Sequence, residues 1–237
     1  SRLVGLGDKR VSCRGRMLRL EIGPMPRVHA LGQIFYNDNR KKAAMNKHNR
    51  ALLIIDMQHD FAVPGGACEV AGAHATIPVI RKVLTRFRDL GLPVFHIVRE
   101  YRADGSDVEI SRQEALKARP MVVPGTPGVR IAPGLEPVEG EYRIVKQRFS
   151  AFMFTELDLI LRRKGVTHLA VTGTQLPFCL RATLFDGLSL GYHMTLLTDA
   201  SSSRTPEIHQ ANIRDIRDAG MACLSVDEYL SGINPPA

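Results

Sequence analysis

From Ala51 onward the chain alternates short, unbroken apolar runs with longer stretches whose apolar residues recur every three or four positions. The runs are ALLIID (51–56), LPVFHIV (92–98), YRIVK (142–146), THLAVTG (167–173), YHMTLLTD (192–199) and MACLSV (221–226). Apolar runs without polar alternation mark strands covered on both faces, as in a parallel sheet. Helical spacing falls at 76–90, 155–164, 179–190 and 206–219. Gly91, Gly165, Gly191 and Gly220 each stand between such a helix and the next strand, where a helix-ending residue at positive φ is expected. Repeated βα units with right-handed crossovers predict an α/β fold: a three-layer αβα sandwich around a mainly parallel, Rossmann-like sheet.

Two segments stand outside this alternation. Residues 99–141 are rich in Pro, Gly and charge, and so long an excursion from a compact domain is expected to serve as a lid or an interface. Residues 1–48 show no apolar period and run into NDNRKKAAMNKHNR. The chain therefore divides into a basic, poorly ordered N-terminal extension (1–48) and one domain (49–237). The extension is Arg-rich and acid-poor, which suits an organelle transit peptide, but it has no secretory h-region. Met45 stands where the domain begins, so an upstream-extended gene reading is an equal alternative.

Charge sharpens that division. The whole chain carries a formal +8, which at first suggests nucleic acid. Residues 1–50, however, hold 12 Lys and Arg against Asp8, Glu21 and Asp38, while the rest holds 20 against 21 acidic residues. The body is not basic, and a nucleic-acid partner is not expected. No apolar run approaches the roughly 18 to 20 residues that cross a bilayer. Cys13, Cys68, Cys179 and Cys223 form no CxxC pair, which argues against a zinc knot or a disulfide scaffold and for a reducing, cytoplasmic setting.

The candidate chemistry lies where strands end, because ligands of such sheets sit beyond the carboxyl edge. Asp56 follows ALLII, Lys146 ends YRIVK, and Cys179 lies in the turn after LAVTG. Parallel strands bring those ends to one edge, so an acid, an amine and a thiol can meet there. A neutral thiol is a poor nucleophile; it needs a base, for which Asp56 serves, and a positive field, which Lys146 and a helix N-terminus supply. Each residue has a plainer role on its own: a buried cysteine, a capping aspartate, a solvated lysine. Their joint placement favours the chemical one.

ALLIIDMQHDF, VKQRFSAF and VTGTQLPFCLRATLFDG resemble, in order, the three signature blocks of the isochorismatase-like cysteine hydrolases, over about residues 49–230. The resemblance implies that Asp56, Lys146 and Cys179 form a catalytic triad. It also implies a cis peptide between Thr174 and Gln175, with the backbone N–H groups of Gln175 and Cys179 as the oxyanion site, and a Phe61 ring against the substrate. Where nicotinamidases carry an Asp-x-His metal motif this chain has Glu100 and Arg102, so no metal or other cofactor is expected. True isochorismatases generally lack the cysteine. The REYRADGSDVE and KQRFSAF stretches lean toward the N-carbamoylsarcosine amidase and ureidoacrylate hydrolase side.

The expected function is thus cysteine-dependent hydrolysis of a small amide or ureido C–N bond. Vinyl-ether hydrolysis and a non-catalytic binding or assembly module remain alternatives on the same fold. Arg102 and Arg148 are candidates for gripping a substrate carboxylate. Asp199 is expected to line the pocket or anchor the serines after it, and His59, His74 and His96 to pack or cap. GTPG at 125–128 lacks the lysine and the helix of a phosphate loop. The family resemblance also implies a homo-oligomer, dimer or tetramer, with 99–141 as a candidate interface.

Overall fold

A computed structural model describes residues 49–233; the basic extension and Met45 lie outside them. Six strands form one sheet, parallel throughout, in the order β3-β2-β1-β4-β5-β6. They are β1 (Arg50–Ile55), β2 (Val94–Arg99), β3 (Tyr142–Lys146), β4 (His168–Gly173), β5 (His193–Ser201) and β6 (Ala222–Leu224). The helices are α1 (His59–Ala62), α2 (Ala73–Asp89), α3 (Gln113–Ala118), α4 (Leu157–Arg163), α5 (Arg181–Ser189), α6 (Pro206–Asp218) and α7 (Val226–Ile233). The expected α/β sandwich is present, and all four strand-preceding glycines adopt positive φ, between 63° and 90°.

Alternate residues of the central strands feed two cores. Leu52, Ile54, Val94 and Ala170 pack beneath α2 and α7, whereas Leu53, Ile55, Phe95 and Val171 pack beneath α4, α5 and α6. Both faces of β1 are buried along its whole length, which explains its unbroken apolar run. No helix among the described residues is long and apolar enough to cross a membrane.

Three elements depart from the pattern. β2 runs through Arg99, one residue beyond its apolar run. The last run is a strand only over Ala222–Leu224, since Ser225 and Glu228 close a reciprocal capping box that starts α7: Ser225 N–H donates to Glu228 Oε2 at 2.8 Å and Glu228 N–H to Ser225 Oγ at 3.2 Å. Cys179 does not open a regular helix. It lies in a π-helical turn, Leu176–Leu180, that runs directly into α5; such wide turns recur at functional sites.

β1 pairs with β2 on one side and β4 on the other, so the chain's winding reverses there and a crevice opens at their carboxyl ends. The two strands meet closely at that edge. Gly173 has φ +115°, and a Cβ on it would stand 2.1 Å from the Ile55 carbonyl oxygen.

The excursion folds back over this edge. Asp60, in α1, accepts from the Val122 N–H at 2.6 Å and the Ala67 N–H at 3.2 Å. His59 N–H donates to the Arg130 carbonyl and Ala132 N–H to that of Met57, at 2.8 and 2.9 Å. Gly128 approaches so near Asp60 that a Cβ would fall 2.0 Å from its carboxylate.

Candidate active site

The sequence-predicted acid, amine and thiol meet at the carboxyl edge. Lys146 Nζ donates to Asp56 Oδ2 at 2.8 Å, with the two side chains 0% and 1% exposed. Asp56 follows β1 with φ +53°, a left-handed conformation that is uncommon outside glycine. Its other oxygen, Oδ1, is buried and has no hydrogen-bond partner. Cys179 is buried beside them; Asp56, Phe61, Cys68, Arg99, Arg112, Thr174, Gln175 and Cys179 are among the residues around one small cavity.

The turn that carries Cys179 is fixed from three sides. Thr183 Oγ1 donates to the Cys179 carbonyl at 2.7 Å and accepts from the Ala151 N–H at 2.9 Å. Leu176 N–H donates to the Ser202 carbonyl at 2.8 Å, and Ser202 Oγ donates to Thr174 Oγ1 at 2.8 Å. The Thr174–Gln175 peptide is cis, as the sequence resemblance implied.

Arg99 enters the site without having been singled out in the sequence. Fully buried, it donates from Nη2 to Cys179 Sγ at 3.3 Å and to the Arg148 carbonyl at 3.0 Å, and from Nη1 to Glu109 Oε1 at 2.7 Å. Nη1 also donates to the Tyr101 hydroxyl, which in turn donates to Glu109. Nε stands 3.8 Å from Asp56 Oδ2. Burial works against the guanidinium charge, but Cys179, Asp56, Tyr101 and Glu109 outweigh it and hold its pKa well above the ordinary arginine value. Burial raises the Glu109 carboxyl, and Arg99 together with the Tyr101 hydroxyl more than reverses that, leaving it below the usual carboxylate range. Gln58 clamps the backbone of Arg99: its Nε2 donates to the Arg99 carbonyl at 2.8 Å and its Oε1 accepts from the Arg99 N–H at 2.7 Å.

The two arginines expected to reach substrate are elsewhere. Arg148 Nη1 donates to the carbonyls of Asp107 and Gln147 at 2.6 and 3.1 Å, Arg102 is exposed, and neither lines the cavity. Arg112 does line it. Its guanidinium rests over the rings of Phe149 and Phe178, 4.8 and 6.0 Å from their centroids, and no carboxylate among the described residues pairs with it. Asp199 is also away from the cavity, accepting from the Val226 N–H at the start of α7 at 2.8 Å. Of the three histidines, His96 lies buried in β2 and bonds Glu141 at 2.8 Å. A larger cavity, ≈ 510 Å³, lies at the opposite edge of the sheet, against Arg50, His168 and His193 at the amino ends of their strands, far from the acid–thiol cluster.

A doubly wound α/β fold with a buried acid–amine pair and a thiol at its switch point defines the class. Residues 50–228 match the Isochorismatase domain, and the chain belongs to the isochorismatase family of hydrolases. A protein of Arabidopsis thaliana described as a "probable inactive nicotinamidase" is 40% identical over 185 residues, 76% of this chain and 94% of that protein. The ureidoacrylate amidohydrolase RutB of Caulobacter vibrioides is 32% identical over 181 residues, 68% of this chain and 80% of that one. The crystal structure of an isochorismatase family protein from Desulfovibrio vulgaris superposes with a TM-score of 0.74 at 47% identity, covering 78% of this chain and 99% of that one.

Proposed function

We propose that the protein hydrolyses a C–N bond of a small ureido or amide substrate through a covalent intermediate on Cys179. The observation that carries this reading is the divided state of Asp56: one oxygen is held by Lys146 and the other is buried with no partner. An unsatisfied buried acceptor costs about 1–3 kcal/mol. Asp56 and Cys179 border the same cavity, which supports the reading that this oxygen takes the thiol proton.

In this scheme Asp56 Oδ1 takes the Cys179 proton as the sulfur attacks the carbonyl carbon. The negative charge moves to the carbonyl oxygen, where the backbone N–H groups of Gln175 and Cys179 stabilise it. Collapse breaks the C–N bond while the Asp56 carboxyl returns the proton to the leaving nitrogen. Asp56 then deprotonates a water, whose attack on the acyl or carbamoyl carbon frees the sulfur. Arg112, with no acidic partner, serves a carboxylate at the far end of the substrate, the role the sequence suggested for Arg102 or Arg148. The cavity, ≈ 20 Å³, holds about one water, so substrate enters as Arg112 lifts from its two rings.

The RutB relative supports a ureido acid as substrate, since that protein is named for ureidoacrylate. The name of the plant relative supports a second reading, a binding module that keeps the pocket without turnover. Ammonia release from a panel of ureido acids, N-carbamoyl amino acids, nicotinamide and simple amides separates the two. Release from carboxylate-bearing ureido compounds is expected, unaffected by chelator, abolished in Cys179→Ala and reduced about 10²–10⁴-fold in Asp56→Asn, the usual contribution of a general base. Turnover that survives Cys179→Ala would refute the covalent route, and binding without release from any member would favour the second reading.

A further inference from the structure

We propose that Arg99 is a catalytic residue of this site, whose guanidinium receives the negative charge on the Cys179 sulfur when the thiol proton passes to Asp56. The inference rests on reading Cys179 as the nucleophile, and it assigns a role that the Asp56, Lys146 and Cys179 set leaves unfilled.

Four charged groups surround the thiol within the fold: Asp56 after β1, Arg99 at the end of β2, Lys146 at the end of β3, and Glu109 in the excursion. Arg112, also in the excursion, faces the same cavity, as does the thiol of Cys68. Lys146 is bonded to Asp56, at 2.8 Å. With that cation alone, proton transfer would carry the negative charge away from its only partner and into a buried site, where an unpaired anion is strongly disfavoured. Arg99 spans the transfer. Its Nε is 3.8 Å from Asp56 Oδ2 and its Nη2 is 3.3 Å from Cys179 Sγ, so one rigid guanidinium faces the charge before and after it moves. Before transfer the charges are Asp56, Glu109, Lys146 and Arg99; after it, sulfur replaces Asp56 and the sum is unchanged.

The guanidinium is built in place rather than drifting over the pocket. Glu109 and Tyr101 hold Nη1, the Arg148 carbonyl shares Nη2, and Gln58 fixes the backbone on both sides. Glu109 and Tyr101 are accordingly positioning residues, and through them the excursion contributes to the reactive centre as well as covering it.

The test reads the thiolate directly and needs no substrate. The full chain is alkylated with iodoacetamide across a range of pH, and modification of the Cys179 peptide is followed by mass spectrometry in the wild type, Arg99→Gln and Arg99→Lys. Arg99→Gln is expected to slow Cys179 alkylation at neutral pH by about tenfold and to move the midpoint of its pH profile about one unit more alkaline. Arg99→Lys, which keeps a charge but loses the fork, is expected to show a smaller shift in the same direction. Cys223, which lies outside the cavity, should keep its pH midpoint in both. A merely structural Arg99 would change the rate equally at every pH, through access, without moving the midpoint. Unmoved midpoints in both variants overturn the proposal; should Arg99→Gln fail to fold, the Arg99→Lys profile alone decides it. Loss of hydrolysis in Cys179→Ala with unmoved midpoints would leave the proposed function standing and remove this inference, whereas a shifted midpoint in a protein that hydrolyses nothing would do the reverse.

Discussion

Asp56 and Lys146 form a buried ion pair, and such a pair is sensitive to the removal of one member. Lys146→Met keeps the volume but leaves the Asp56 carboxylate with Arg99 alone, 3.8 Å away. Stranding a buried charge costs about 3–5 kcal/mol, and the remaining guanidinium places the expected loss at the lower end. Urea unfolding would measure it, and a variant as stable as wild type would show that Arg99 already balances Asp56. At this scale three of the reacting groups were legible, because a polar residue at the carboxyl end of a parallel apolar run is conspicuous. Arg99 carries the same signal, but the apolar run stops at Val98, so the pattern assigns the arginine to the excursion. Arg112 and Glu109 had no local signal at all. Glu109 meets Arg99 and Tyr101, ten and eight residues back, across an irregular stretch with no period, and Arg112 meets Phe149 and Phe178, dozens of residues on; spacing along the chain encodes neither.

Three histidines on separate elements, His96 in β2, His168 in β4 and His209 in α6, have a pH behaviour that follows from burial. His96, His168 and His209 are all held below the ordinary histidine value, each principally by desolvation, and His168 falls to about 4 with His193 and Arg50 adding to the effect. His168 and His193 stack at the amino ends of β4 and β5, their ring centroids 4.3 Å apart. A histidine depressed in the folded state takes its proton more readily when the chain unfolds. The stability it contributes is complete above the ordinary histidine value of 6.5 and is lost as the pH falls from there toward about 4. The melting temperature should therefore stay level from about pH 8 to 7 and drop across that acid window, with His168→Gln flattening part of the drop; a melting temperature constant from pH 7 to 4 would contradict the assignment. The strands and helices α2, α4, α5 and α6 were legible as elements because apolar period and spacing agreed. The short α1 and α3 were not, since one or two turns give no period. α7 had a readable start in Ser225-x-x-Glu228, but Val226, one residue beyond Ser225, extended the preceding apolar run and hid it.

At the scale of the molecule, the site belongs to no single element. Asp56, Arg99, Lys146 and Cys179 come from four successive segments, and β1 acquires both its neighbours only when β4, more than a hundred residues later, has docked in register from Arg50↔His168 to Ile55↔Gly173. The fold class was legible because each βα unit is local. The pocket was not, because it exists only between units.

That central position of β1 also bears on how the chain reaches its native state. Pairing strands so distant in sequence requires closing a long loop first, and topologies of that kind fold slowly. β6, at the far edge of the sheet, can form without touching the reactive centre, but nothing resembling that centre can exist before β1 is enclosed on both sides. In a refolding time course, selective labelling of Cys179 should emerge only with the last, global step, in phase with deuterium protection of the β1 amides. Labelling that matures earlier than that protection would mean the thiol's surroundings assemble without the strand that carries Asp56. The reactivity of one sulfur atom would then report, moment by moment, whether the whole sheet has closed.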